Sequence, residues 1–325
     1  MNIMDSYDPL FERVYVAGHA GMVGSAILRR MKVLGLPDPI TATRAEVDLL
    51  DQAAVRAFVA KARPTSVIVA AAKVGGIEAN RSQPADFLYE NMVIATHLVD
   101  ASFRNGIRHL MYLGSSCIFP RMAPQPMTED ALLTGLLEPT NEGYAVAKIA
   151  GMKLCQMYRR QHGVCYHSGM PTNLYGPGDN YDPNGSHVLP ALLRRFENAR
   201  IEGSKEITLW GTGVALREFL HVDDLADAVL FLMRLKNPPD WVNIGSGTEV
   251  TIRRLAELVR DACGAKCVLK WDATKPDGMP RKLLDCSLLH SLGWQASISL
   301  EEGLARTVQD YRRELAEGRV RGHRN

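Results

Sequence analysis

The sequence predicts an α/β fold, a doubly wound parallel sheet followed by a smaller C-terminal α/β domain. Three observations predict it. Short β-branched and aliphatic runs alternate with helical segments through the first half of the chain. Those runs are apolar at consecutive positions rather than at every second one, as strands covered on both faces are. Beyond residue 173 the alternation becomes irregular and the α/β units shorten.

Residues 13–17 (RVYVA) read as the first strand and run into glycines, with a helix over 25–34 behind them. A second strand is expected at 40–43. Asp51 is placed to cap a helix over 53–62, because its carboxylate can accept free N–H groups of the first turn; Pro64 stops that helix. Residues 66–72 (SVIVAAA) read as a fully buried strand. A long helix over about 84–104 is closed by Asn105-Gly106, and residues 109–113 give the fourth strand. The Pro-rich stretch 121–140 reads as a surface loop. A helix over 142–161 and a strand over 164–170 complete the alternating part. The pattern then gives strand 207–210 with helix 222–234, and strand 242–244 with helix 252–262. Some of these late strands are expected to return to the main sheet.

With 325 residues the chain can bury a sizeable core, and its 46% hydrophobic and 23% charged residues are ordinary for a globular protein. A net charge of +2 gives no broad footprint for nucleic acid, so an anionic ligand must be held by local Arg and Lys. No apolar run is long enough to span a bilayer, and the acidic start with Asp5, Asp8 and Glu12 does not read as a signal peptide. The six cysteines, at 117, 155, 165, 263, 267 and 286, follow neither zinc-ligand spacing nor a secreted disulfide framework. The expectation is reduced thiols, no metal site, no membrane and a cytoplasmic location. The Arg-rich end, 312–325, reads as a frayed tail.

Between the first strand and the first helix lies Gly18-His19-Ala20-Gly21-Met22-Val23-Gly24. This G-x-x-G-x-x-G is a variant of the dinucleotide fingerprint. Its glycines permit a tight turn and close approach of a pyrophosphate, and the helix start offers free N–H groups and partial positive charge. The sheet is therefore expected to be of Rossmann type. The second strand ends Thr41-Ala42-Thr43-Arg44, with no acid until Glu46. An arginine there pairs a 2′-phosphate, so Arg44 favours NADP(H) over NAD.

Tyr144 and Lys148 form Y-x-x-x-K within one helix. Four residues rise roughly 6 Å, about one turn, so both side chains share a face. A nearby ammonium favours the phenolate, which would bring the tyrosine toward proton transfer at working pH. Gly114-Ser115-Ser116-Cys117 ends the fourth strand, at the sheet edge where open α/β sheets bind ligands.

Together these features resemble the extended short-chain dehydrogenase/reductase family over nearly the whole chain. That resemblance implies a Ser115, Tyr144 and Lys148 triad, with the choice of Ser115 over Ser116 resting on alignment within GSSC. A narrower resemblance, to the GDP-L-fucose synthases, is carried by 71–77 (AAKVGGI), 114–120 (GSSCIFP), 138–142 (EPTNE), 170–177 (MPTNLYGP), 186–192 (SHVLPAL), 217–224 (REFLHVDD) and 275–282 (KPDGMPRK). That family epimerises GDP-4-keto-6-deoxy-D-mannose at C3 and C5, then reduces the C4 ketone with NADPH.

The resemblance implies that Cys117 and His187 are the epimerisation acid–base pair. It also implies that Gly18, Gly21, Met22, Val23, Gly24, Arg44, Asp48, Leu49, Ala71, Pro171, Asn173, Leu174 and His187 join Tyr144 and Lys148 around the cofactor. Guanidinium groups suit a diphosphate. Arg195, Arg217 and Lys282 are the candidate cations, with Arg194 an alternative on the adjacent helix face and Trp210 as a pocket wall. Family members often carry a basic residue where this chain has Ala20, so some use of NADH stays open. The resemblance further implies a homodimer through the two long helices. The expected division is an NADP-binding Rossmann domain, 1–173 plus 215–246, and a GDP-sugar-binding domain, 174–214 plus 247–325. Three readings stay open: a GDP-L-fucose synthase, another sugar-nucleotide reductase or epimerase on this scaffold, and a non-catalytic nucleotide-binding regulator. A Cys/His pair taken alone also suits a thiol hydrolase, which the glycine loop and the Tyr/Lys pair argue against.

Overall fold

The computed structural model describes residues 8–183, 185–275 and 277–322. Asp5 in the acidic start, Pro276 in the 275–282 segment and the last three residues of the basic tail lie outside the described residues. The chain enters β1 (Val14–Ala17), turns through the glycine loop and continues as α1 (Met22–Val33). Helix α2 (Gln52–Ala62) begins at Asp51, whose carboxylate accepts the N–H groups of Ala53 and Ala54 at 2.8 and 3.1 Å. Strand β2 (Ser66–Val69), the short α3 (Ile77–Ser82), the long α4 (Pro84–Arg104) and β3 (His109–Leu113) follow. Next come α5 (Glu142–His162), β4 (Cys165–Pro171) and β5 (Asn173–Tyr175).

The remainder runs α6 (Val188–Glu202), β6 (Glu206–Trp210), β7 (Leu216–His221), α7 (Val222–Met233), β8 (Trp241–Ile244) and β9 (Glu249–Thr251). It ends with α8 (Ile252–Cys263), β10 (Val268–Asp272), β11 (Arg281–Lys282), α9 (Ser287–Ser291) and α10 (Leu300–Ala316).

The main sheet has the order β1-β2-β3-β4-β8, all parallel. Its strands alternate side chains between two covered faces. Val14, Val16, Ile68 and Met111 pack with α1 and α7, while Tyr15, Val67, Val69, Leu110 and Tyr112 pack with α2, α4 and α5. Burying a side chain of this size contributes about 1.5–3 kcal/mol, which is why both faces must be apolar. As expected, a late strand, β8, returns to this sheet beside β4.

A third core lies apart from it. Leu193 and Phe196 of α6, Leu255 and Val259 of α8, and Leu304 and Val308 of α10 pack together. Strands β10 and β6 pair in parallel there, and β7 pairs with β5 and β11, with β9 antiparallel along it.

Four expectations are corrected. The end of the chain, 312–325, is not simply a frayed tail: residues to Ala316 belong to α10, and Arg312 donates to the buried Glu197 carboxylate at 2.6 Å and to the Cys263 carbonyl at 2.8 Å. The strand at 40–43 is a single bridge, Ile40 to Tyr15. Pro37 and Pro39 leave no N–H for a longer ladder, and the Thr43 N–H is taken by the Glu46 carboxylate at 2.7 Å. The stretch 121–140 is not only surface: Met127 is 1% exposed and its backbone exchanges hydrogen bonds with Leu283 and Asp285. Strand β7 was not foreseen, because Glu218 at its centre reads as polar. Glu218 is fully buried and accepts the N–H groups of Gly247 and Leu284 at 2.8 and 3.1 Å, which makes a carboxylate tolerable there.

Candidate active site

The C-terminal ends of β1 to β4 open toward one edge, and the site is built there. Gly18 has φ +87°, and a Cβ on it would lie 2.6 Å from the Ala71 backbone. A Cβ on Gly24 would lie 2.2 Å from the Gly18 carbonyl oxygen. These two glycines let α1 start directly against the strand end, with Gly21 at its N-cap and Met22 and Val23 in the first turn. His19 Nδ1 is buried with no hydrogen-bond partner among the described residues. The loop therefore fits a dinucleotide pyrophosphate, bound by the N–H groups at the start of α1.

Arg44 stands beyond Ile40 with its side chain 75% exposed and 3.8 Å from the Asp48 carboxylate. So loose a surface pair is weak and leaves the guanidinium free to turn to a phosphate. The Asp48 carboxylate also accepts the Leu50 N–H at 3.0 Å, and the Leu49 carbonyl lies 3.0 Å from His97 Nδ1. Pro171, Asn173 and Leu174 sit where β4 passes into β5, and Asn173 Nδ2 donates to the Glu218 carbonyl at 2.8 Å.

The triad residues meet between β3 and α5. Lys148 is 4% exposed and its ammonium donates to the Leu113 carbonyl at 2.8 Å. The same nitrogen lies 5.7 Å from the centre of the Tyr144 ring. Burial pushes the Lys148 ammonium down to about 8. Tyr144 differs from expectation, for its phenol is held well above the ordinary value. Burial is the chief cause, the Cys117 charge adds to it, and a hydrogen bond with Ser115 opposes both. Burial thus keeps the phenol protonated, and Tyr144 is held as a proton donor.

Cys117 follows in the turn after β3, half-buried, with its N–H donated to Ser115 Oγ at 3.3 Å. Burial resists its ionisation most strongly. The Lys282 charge and hydrogen bonds from Ser115, Lys282 and Asn141 together outweigh that, and the thiol falls below its ordinary value. His187 is the N-cap residue of α6. It is crowded by the cleft wall yet open to solvent; the crowding, then the Lys282 charge, lower its pKa. Its approach is fixed by the glycine pair at 75–76, since the Gly76 N–H donates to the Gly185 carbonyl at 3.0 Å.

The candidate cations come from the second unit. Arg217 on β7 stands opposite Lys282 on β11, half-buried, with Nη1 on the Leu216 carbonyl at 2.7 Å. Arg195 is exposed and donates to the Thr208 carbonyl at 2.6 Å, whereas Arg194 is tied to the Tyr181 carbonyl at 2.9 Å. Trp210 is 72% exposed, with the Lys275 ammonium 5.7 Å from its ring centre, so it forms a rim more than a wall. Sequence reasoning missed Asn141, which hydrogen-bonds Cys117 from the start of α5. Its signals were its place just before the Y-x-x-x-K helix and its membership of the 138–142 segment.

A model of the NAD dependent epimerase/dehydratase family matches residues 14–245. The chain belongs to that family. Among the enzymes of this family it is 56% identical over 299 residues to GDP-L-fucose synthase 1 of Arabidopsis thaliana, covering 92% of this chain and 93% of the relative. It is 51% identical over 308 residues to the GDP-L-fucose synthase of Escherichia coli strain K12, covering 92% and 96%. A solved structure of a GDP-L-fucose synthetase from Naegleria fowleri bound to NADP superposes with a TM-score of 0.88 at 26% identity, covering 98% of each chain. The parallel sheet and flanking helices of this epimerase/dehydratase are thus the Rossmann-type fold that the glycine loop and strand pattern predicted.

Proposed function

We propose that this chain converts GDP-4-keto-6-deoxy-D-mannose to GDP-L-fucose, inverting C3 and C5 and then reducing the C4 ketone with NADPH. The observation that carries the reading is Cys117, a thiol held below its ordinary pKa beside Ser115 and Tyr144. A simple reductase has no use for such a base. The names of the 56% and 51% identical relatives support the same substrate.

The ketone at C4 acidifies the hydrogens on C3 and C5. Cys117, as thiolate, removes a proton from one face, and His187 delivers one to the other. An imidazole with a lowered pKa is a willing acid once protonated. The Tyr144 and Ser115 hydroxyls stabilise the enolate oxygen between these steps. Bound NADPH supplies the hydride for C4. Tyr144, kept as a phenol, gives its proton to the C4 oxygen, and Lys148 holds positive charge beneath it. Gly18, Gly21, Met22, Val23, Gly24, Ala71, Arg44, Asp48, Leu49, Pro171, Asn173 and Leu174 hold the cofactor; Arg195, Arg217 and Trp210 hold the GDP-sugar, with Lys282 beside Cys117 at its sugar end.

The same reading divides the chain into a cofactor domain, 1–173 plus 215–246, and a substrate domain, 174–214 plus 247–325; the separate core of α6, α8 and α10 supports it. It includes a homodimer through α4 and α5, where Tyr89, Met92, Val146 and Met157 are exposed, and a cytoplasmic location in keeping with six unpaired thiols. No helix among the described residues is long and apolar enough to cross a membrane.

The test is proton NMR of the product formed in heavy water from GDP-4-keto-6-deoxy-D-mannose and NADPH. GDP-L-fucose carrying deuterium at C3 and C5 is expected. A reduced D-sugar without deuterium would leave a plain reductase.

A further inference from the structure

Lys282 was expected among the diphosphate cations, yet its ammonium lies 3.4 Å from Cys117 Sγ. No feature local to Cys117 brings it there, since the two residues are 165 positions apart. It is fixed by its backbone. Lys282 pairs with Arg217 of β7, the next N–H, of Leu283, donates to Gln125 Oε1 at 2.8 Å, and that of Leu284 donates to the Glu218 carboxylate at 3.1 Å. The stretch 121–140 clamps the same strand end, where Met127 exchanges backbone hydrogen bonds with Leu283 and Asp285. The backbone of Lys282 is thereby held at one place, within reach of the thiol.

We infer that Lys282, its ammonium 3.4 Å from Cys117 Sγ, is the positioning residue that favours the thiolate form of Cys117, so that the epimerising base is assembled by the packing of β11 beside the end of β3. The inference rests on the epimerase reading and deepens it. Four groups face the thiol: Ser115 after β3, Asn141 and Tyr144 at the start of α5, and Lys282 on β11. Lys282 alone among them brings a cation. Asn141 and Ser115 offer only hydrogen bonds, and Tyr144 stays neutral. The same ammonium disfavours a proton on His187. One cation thereby acts on both members of the pair, favouring the thiolate of Cys117 and disfavouring a proton on His187. Arg195 and Arg217 are left to bind the diphosphate.

The test reads the thiol directly. Cys117 is alkylated with iodoacetamide across a pH series, and the modified Cys117 peptide is quantified by mass spectrometry in the wild type, Lys282→Met and Lys282→Arg. Lys282→Met is expected to slow alkylation at neutral pH about tenfold or more, the effect of a pKa rise of one unit. Lys282→Arg is expected to keep the wild-type profile, and Lys282→Gln replaces the Met variant if that one does not bind NADPH. With the GDP-sugar, deuterium uptake at C3 and C5 should fall through kcat more than through KM. An unchanged alkylation profile with a raised KM would overturn the inference and return Lys282 to the diphosphate. The two readings fail separately. If Cys117→Ala still took up deuterium the epimerase base would be wrong, while the alkylation profiles would still decide whether Lys282 sets the thiol.

Discussion

The glycine loop and the thiol pocket lie at the same edge of the sheet, yet they are made in opposite ways. The loop is seven consecutive residues whose geometry is dictated locally, by Gly18 at φ +87° and by the close contact at Gly24. The thiol pocket draws on four separate stretches: 115–117, 141–148, 187 and 282. A local site is as stable as its own turn. An assembled site depends on every element that brings its parts together, so its chemistry can be lost while the cofactor loop stands.

The largest effect expected from that contrast is at Tyr144. Tyr144→Phe removes the proton donor and should lower kcat about 10²–10⁴-fold. NADPH affinity, measured by fluorescence titration, should stay near wild type, and a comparable loss of NADPH binding would break the separation of the two regions. The pH profile sharpens it next. Lys148 is held down to about 8, so its charge is present below that pH and lost above it. Single-turnover reduction should fall up to tenfold per pH unit on the alkaline side, whereas deuterium uptake, which needs a protonated His187 as well as the Cys117 thiolate, should begin to fall at lower pH because the His187 pKa is lowered.

Gly24→Ala probes the local site. Its Cβ would fall on the Gly18 carbonyl, so the loop must shift, at a cost of about 1–3 kcal/mol in thermal or urea unfolding. NADPH binding should weaken, and Cys117 alkylation should be unaffected. Asp51→Ala gives the smallest effect. It removes the cap of α2, remote from both regions, and should cost about 1 kcal/mol of stability with no change in kcat.

The parts of the fold that were legible share a cause. β1, β3, α4 and α5 carry their signals within themselves: apolar runs, an Asn-Gly stop, a helical period. The elements misread depend on partners elsewhere. Ile40 looks like a strand but has room for one bridge, and Met127 looks like loop but is buried by Leu283 and Asp285. β7 looked too polar because Glu218 is satisfied by N–H groups 29 and 66 residues away. The expected activation of Tyr144 by Lys148 missed the burial that holds the phenol up.

By itself, then, the sequence determined the Rossmann-type sheet, the dinucleotide loop and the Tyr144–Lys148 face, because strand pattern, turn geometry and helical spacing act over a few residues. Only the tertiary structure decided that Lys282 meets Cys117, that Asn141 joins them and that Tyr144 is held as a phenol. Charge and desolvation act through space, and which groups share that space is set by how β11, β7 and the 121–140 strap pack against the sheet.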